Sequence, residues 1–267
     1  MEKVGILAGI GALPVECAKA AKLQGNEVYA VALLPETSDA LRDYADDYQE
    51  ISIFKVGKIL NYLKKKQVTE VTMIGKVTKE LLYAHKAMPD FKAMQILMSL
   101  PNRKDDTVMQ ALVKAVESTG AKVVNQTALI RPLMPAAGTL TKREPSAAER
   151  QDMEFGFRMA KEIGRMDVGQ TVVVKDMAVM ALEAIEGTDA CISRGGKLAR
   201  EGAVVAKVAK PQQDNRFDVP AVGRKTLETM IEVKAKALVI EANETLLVER
   251  EEVIKLADEN GIAIVAM

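Results

Sequence analysis

Residues 210–223, reading KPQQDNRFDVPAVG, place Lys210, Asp214, Arg216 and Asp218 among two prolines and a closing glycine. Carboxylates are oxygen ligands for a hard cation such as Mg²⁺. Lysine and arginine hold phosphate oxygens, arginine often through two parallel bonds. All four side chains on one restrained, non-periodic loop point to phosphate chemistry with a metal. A solvated loop with local ion pairs is the competing reading, because dense charge is common on surface loops. Asp214 and Asp218 stand four apart. Extended backbone would put both on one face, whereas a bend would let them converge.

Other stretches carry weaker signals. Gly9 and Gly11 follow an apolar run and precede Pro14. Such a turn lets backbone N–H groups approach an anion at the next helix start. The third glycine of the dinucleotide fingerprint is missing, and Pro14 suits the first turn of a helix. A nucleotide or sugar-phosphate site and a plain strand-to-helix turn both fit. Glu36 is placed either to meet a ribose hydroxyl or to be an exposed charge. Asp105 and Asp106, within Arg103-Lys-Asp-Asp-Thr107, stand at a helix start. If one of them caps the helix, the other is left for substrate or metal. His85 is the only histidine, too few for a catalytic triad or a histidine-based zinc site, and it reads as structural. Tyr62 and Lys66 have the Tyr-x-x-x-Lys spacing of some dehydrogenases, but on a lysine-rich amphipathic helix chance accounts for it. Met88, Met94, Met98 and Met109 run together with Phe91, Leu97 and Leu100. Core packing is the expectation for them, and an adaptable apolar wall for an acyl chain is the sharper alternative.

The elements that must position these groups follow from periodicity. Strands are expected at 3–8, 27–34, 70–75 and 121–125, and helices at 15–24, 56–66 and 106–119. That alternation implies a parallel sheet covered by helices. Four punctuating residues, Pro132, Pro135, Gly138 and Pro145, mark a hinge, and residues 146–164 read as a helix with Ser146 and Glu149 in capping-box positions. Residues 169–175 and 178–184 form a hairpin pattern around Asp176-Met177. A helix ending near Gly195-Gly196 follows, then a strand at 203–209 that delivers the chain into the charged loop. Beyond it lie helices at 224–236 and 250–260, paired strands at 237–241 and 245–248, and a last strand at 262–266. The fold class is α/β: a Rossmann-like parallel-sheet domain over 1–130, a hinge and connecting helix over 131–165, and a mixed α/β domain over 166–267.

Composition narrows the function. Lys+Arg and Asp+Glu are both 37, so no global basic field draws nucleic acid, and the absence of Trp with 4% aromatic content argues against base-stacking platforms. Cys17 and Cys191 lie far apart without a CxxC partner and read as buried thiols. No signal peptide or membrane span is expected, which places the protein in the cytoplasm.

Taken together, Gly9-Ile-Gly-Ala-Leu-Pro14, Asp105-Asp106, Gly138-Thr-Leu-Thr141, Asp167-Val-Gly-Gln170, Glu183-Ala-Ile-Glu-Gly-Thr-Asp189 with Arg194, and the 210–223 loop resemble the UDP-2,3-diacylglucosamine pyrophosphatases of the LpxI type, over nearly the whole chain. Gln212 stands where a glycine is usual and Cys191 where a methionine is usual. The resemblance implies two domains with substrate between them, a requirement for Mg²⁺, and hydrolysis of a lipid-linked nucleotide sugar to UMP and lipid X in lipid A biosynthesis. It also implies peripheral contact with the inner membrane surface; a homodimer is left open. On this reading Asp214 and Asp218 serve metal and water, Lys210 and Arg216 clamp phosphates, and Glu183 and Asp189 complete the metal shell or bind hydroxyls. Gly9, Gly11, Asp105, Asp106, Gln170, Gly187, Thr188 and Arg194 are expected to contact substrate. A nicotinamide-dependent oxidoreductase and a non-catalytic nucleotide-sugar or lipid-binding protein are the alternatives.

Overall fold

The structure, a computed structural model, describes residues 1–77, 88–101, 105–212 and 214–267, without the side chains of Asp105, Asp106 and Pro132. His85, Arg103 and Lys104 therefore lie outside the described residues. The chain divides into two compact units: Met1–Ile130 with Asn215–Phe217, and Arg131–Asp214 with Asp218–Met267.

In the first unit, strands β1 (Lys3–Ala8), β2 (Glu27–Ala32), β3 (Asp47–Glu50), β4 (Glu70–Ile74) and β5 (Lys122–Val123) alternate with helices α1 (Leu13–Leu23), α2 (Val56–Lys66), α3 (Phe91–Ser99) and α4 (Asp105–Glu117). The sheet order is β3-β2-β1-β4-β5, with every pair parallel. Its strands are buried runs such as Val4, Ile6 and Ala8, as expected of a sheet covered on both faces. β3 was not among the expected strands: its sequence, Asp-Tyr-Gln-Glu, is polar and half exposed at the sheet edge, so it carries no alternation to read.

The second unit holds β6 (Gly138–Thr139), α5 (Ala147–Arg165), β7 (Thr171–Lys175), β8 (Ala178–Leu182), α6 (Thr188–Ala199), β9 (Val204–Lys207), β10 (Ala221–Val222), α7 (Arg224–Glu232), β11 (Ala237–Ile240), β12 (Leu246–Leu247), α8 (Arg250–Glu259) and β13 (Ala263–Ala266). Six strands form a mixed sheet in the order β6-β13-β11-β9-β7-β8. Alternate residues of these strands enter two cores. Val172, Val174, Val204, Ala206, Val239 and Val265 pack beneath α5, while Val173, Val205, Leu238 and Ile264 pack with α6, α7 and α8 on the other face. α5 is thus a layer of this unit rather than a connector, and Ser146 and Glu149 make both bonds of the capping box.

Three expectations are corrected. Residues 237–241 and 245–248 do not pair with each other: β11 lies between β9 and β13, while β12 pairs with β10. The α6 helix does not stop at Gly195-Gly196 but runs on to Ala199. These glycines form a packing seam, because a Cβ on Gly195 would lie 2.6 Å from Val173 Cβ and one on Gly196 would lie 2.2 Å from Val233 Cγ2. The methionine run is core only at Met109, which packs against the first unit's core. Ala93 is buried, but Phe91 is 83% exposed, Met98 83% and Met88 79%.

The seam is testable. Gly195→Ala should lower stability by about 1–3 kcal/mol through overpacking, read as a lower midpoint in chemical denaturation; an unchanged midpoint would show that α6 does not sit this close to β7.

Candidate functional site

The functional side chains of the second unit meet where β7 begins and β8 and β9 end. Thr171 opens β7 opposite Lys207, the last residue of β9. The Glu183 amide, just past β8, donates to the Thr171 carbonyl at 2.9 Å. Gly169 makes this approach possible, since a Cβ there would fall 2.1 Å from the Glu183 carbonyl oxygen. The Glu183 carboxylate is buried and accepts from the Thr188 hydroxyl at 2.9 Å and from the Gln170 amide at 3.3 Å. Gly187, at φ +82°, turns the chain into α6 and places Thr188 and Asp189 in its first turn, where helix N–H groups and the helix dipole favour an acidic side chain. Asp189 meets the Thr226 hydroxyl at 3.5 Å and Lys225 at 3.3 Å.

Lys207 lies beneath this group and is only 6% exposed. Its ammonium donates to the Ala221 carbonyl at 2.8 Å. Burial draws it below the ordinary lysine range, and the fields of Glu183, Asp189 and Asp218 oppose that shift. Sequence reading missed Lys207. The available signal was a single lysine closing the otherwise apolar run Ala203-Val-Val-Ala206.

The charged loop is bent, not extended: the Asp218 amide donates to the Asp214 carbonyl at 3.0 Å. Asn215 accepts from the Gln126 amide at 2.9 Å, and Phe217 packs against the core of the first unit. Lys210 pairs with Asp167 at 2.8 Å. The Asp218 carboxylate, half-buried, lies in the field of Lys207 and has no hydrogen bond or ion pair among the described residues. The buried Gln170 Oε1 also lacks a hydrogen-bond partner among them.

Among the described residues no group of three or more His, Cys, Asp or Glu is gathered to hold an ion. That donor chemistry still fits Mg²⁺, which is usually bound through one or two carboxylates plus waters and substrate phosphates rather than by an all-protein cage.

The remaining candidates belong to the first unit or make other contacts within their own unit. Gly9 and Gly11 belong to the first unit. The Gly9 amide donates to Ile74, and a Cβ on Gly9 would fall 2.8 Å from Lys76 O, so close strand packing explains this glycine. Gly11, at φ +110°, is exposed with open space around it. Asp105 and Asp106 open α4. Arg194 is held by Glu186 at 2.5 Å and by the Leu182 carbonyl at 2.8 Å. Tyr62 and Lys66 both bind Asp47, a structural use of the dehydrogenase-like spacing.

The family model of the LpxI N-terminal domain matches residues 3–133, and that of the LpxI C-terminal domain matches residues 136–265. The chain belongs to the LpxI family. It is 31% identical to the UDP-2,3-diacylglucosamine pyrophosphatase LpxI of Caulobacter vibrioides over 100% of this chain and 98% of that protein. A bifunctional purine biosynthesis protein PurH of Bradyrhizobium diazoefficiens is 30% identical over 47% of this chain and 23% of its own length. A UDP-glucose-4-epimerase structure from Stenotrophomonas maltophila is similar at a TM-score of 0.32 and 13% identity, covering 45% of this chain and 35% of that one, which is too distant to carry an argument. Residues 167–170 and 183–189 meet through the Gln170 amide and the Glu183 carboxylate.

Cys191 lies behind the site with its thiol directed at the Thr171 carbonyl, and burial pushes it up to about 12, as it does Cys17. Thiolate is the reactive form, so at pH 8 native protein should resist iodoacetamide, with both cysteines alkylated only in denaturant. Mass spectrometry showing rapid native labelling would contradict this burial.

Proposed function

We propose that this chain hydrolyses the pyrophosphate bond of UDP-2,3-diacylglucosamine, releasing UMP and lipid X (2,3-diacylglucosamine 1-phosphate) in lipid A biosynthesis. The observation that carries this reading is the hydrogen-bonded group of Gln170, Glu183 and Thr188, with the Asp218 carboxylate uncommitted among the described residues, in a chain of the LpxI family.

A pyrophosphate diester is doubly negative and repels an attacking water. Asp218, whose carboxylate is uncommitted among the described residues, orients or deprotonates that water. Lys210 and Arg216 supply cationic contacts to phosphate oxygens. Asp214 and Asp218 would hold Mg²⁺, with Glu183 and Asp189 shaping the field behind them. When bound, Mg²⁺ neutralises phosphate charge and lowers the pKa of a coordinated water. Replacing Asp218 by Asn should lower UMP release about 100-fold or more while leaving the circular dichroism spectrum unchanged; a near-native rate would remove the 210–223 loop from the reaction. Chelation by EDTA should abolish turnover of the unmodified protein and added Mg²⁺ restore it.

The substrate's two acyl chains place the reaction beside a lipid surface, and the cytoplasmic face of the inner membrane is the proposed location. Among the described residues no helix is long and apolar enough to cross a membrane. A surface contact is supported by α3, whose exposed Phe91, Met94, Leu97 and Met98 lie opposite buried Ala93, with Lys92 as its one charged residue. Phe91→Ser with Met98→Ser should reduce co-sedimentation with phosphatidylglycerol vesicles. Equal sedimentation of variant and unmodified protein would mean that the α3 face does not touch lipid.

A further inference from the structure

We propose that Lys161 and Glu241 are positioning residues for the 210–223 loop: together they clamp the backbone of Ala209, the residue from which the chain enters the loop. The effect on rate rests on the hydrolase reading; the effect on the loop rests on geometry alone.

β9 ends at Lys207, and the Val208 amide makes one more backbone bond, to the Gln170 carbonyl at 3.1 Å. Ala209 follows and is buried, so its amide and carbonyl each need a partner inside the fold. Both partners are side chains. The amide donates to Glu241 Oε2 at 2.8 Å, and the carbonyl accepts from Lys161 Nζ at 2.9 Å. The same ammonium donates to both Glu241 oxygens at 2.9 Å, which closes the ring. These bonds hold the peptide planes on either side of Ala209. Because each plane is rigid, holding both fixes φ and ψ there and sets the direction in which the chain departs. The two side chains come from anchored elements. Lys161 stands on α5 beside Ala160, which packs against the sheet. Glu241 follows β11 directly, and its carbonyl accepts from the Thr245 amide at 3.1 Å. α5 also meets the first two loop residues: a Cβ on Gly164 would lie 3.4 Å from Lys210 Cα and from Pro211 Cδ. The loop thus starts from a root held at Ala209 by two side chains and at Lys210-Pro211 by close approach of α5.

Variants that separate charge from hydrogen bonding test the clamp. Glu241→Gln keeps an acceptor for the Ala209 amide and Lys161→Arg keeps a donor for its carbonyl. Both should retain kcat/KM for UMP release within about threefold, whereas Glu241→Leu and Lys161→Met should lower it about 100-fold by misplacing the loop. The swapped pair, Lys161→Glu with Glu241→Lys, restores opposite charges but reverses donor and acceptor. A carboxylate then faces the Ala209 carbonyl and an ammonium faces its amide. The swap should melt above either single reversal, yet leave kcat/KM about 100-fold down. Amide exchange followed by mass spectrometry should quicken in the peptide spanning residues 209–218 in Glu241→Leu, Lys161→Met and the swap. In Glu241→Gln and Lys161→Arg it should stay near that of the unmodified protein.

Recovery of both rate and slow exchange in the swap would overturn the proposal, because charge pairing alone would then suffice. So would equal exchange over 209–218 in Glu241→Gln and Glu241→Leu, a comparison that decides the matter even if the swap does not fold; Lys161→Arg against Lys161→Met serves in the same way. Should the unmodified protein release no UMP, the hydrolase reading fails, yet the exchange rates still decide the role of the pair.

Discussion

Taking an ammonium out of water costs several kcal/mol even after the surroundings relax, unless opposite charges and hydrogen-bond acceptors offset it. Lys207 is in that position. Its burial is offset by the Ala221 carbonyl, which accepts from the ammonium, and the fields of Glu183, Asp189 and Asp218 act in the same direction. The strand end thus holds its ammonium against a backbone carbonyl rather than against a carboxylate of its own.

The fold supplies that fixity through packing. Alternate residues of β7, β9, β11 and β13 fill two separate cores, so a slip of one residue in β9 would exchange its faces and move Lys207 out of register with Thr171. The α6 glycine seam brings that helix against Val173, and this sets where its first turn, with Thr188 and Asp189, meets Glu183. Asp152 holds the hairpin from the other face, accepting from the Asp176 and Met177 amides at 3.0 and 2.6 Å. The positive φ values of those two residues give the tight reversal that returns β8 alongside β7 and delivers Glu183.

Much of this was legible in the sequence because local signals agreed with the tertiary result. The Ser146/Glu149 capping box, the turn at Asp176-Met177 and the strand–helix alternation of the first unit all rest on short-range chemistry. What was not legible depends on long-range contact. Gly195-Gly196 resembles a helix stop until Val173 and Val233 are seen against it. The 237–241 and 245–248 runs resemble a hairpin until β9 and β13 are found on either side of β11. Phe91, Met94 and Met98 resemble core until Ala93 proves to be the buried face. Lys207 was missed for a related reason: a lysine in a strand reads as an exposed position, and only the distant Ala221 carbonyl that takes its ammonium shows how it is buried.

The 210–223 loop shows how a segment with little regular structure can hold a carboxylate in place. Lys210 is tied to Asp167 at the end of α5, Asn215 to the Gln126 amide, Phe217 to an apolar core, the Asp218 amide to Asp214, and Ala221 to Lys207. Each anchor is a backbone group or a neighbouring side chain, and none involves the Asp218 carboxylate. Prolines 211 and 220 further restrict the unfolded chain, which lowers the entropy lost on ordering it. Within the second unit the backbone of Asp218 is held by Asp214 on one side and through Ala221 by Lys207 on the other, while its oxygens remain available for chemistry.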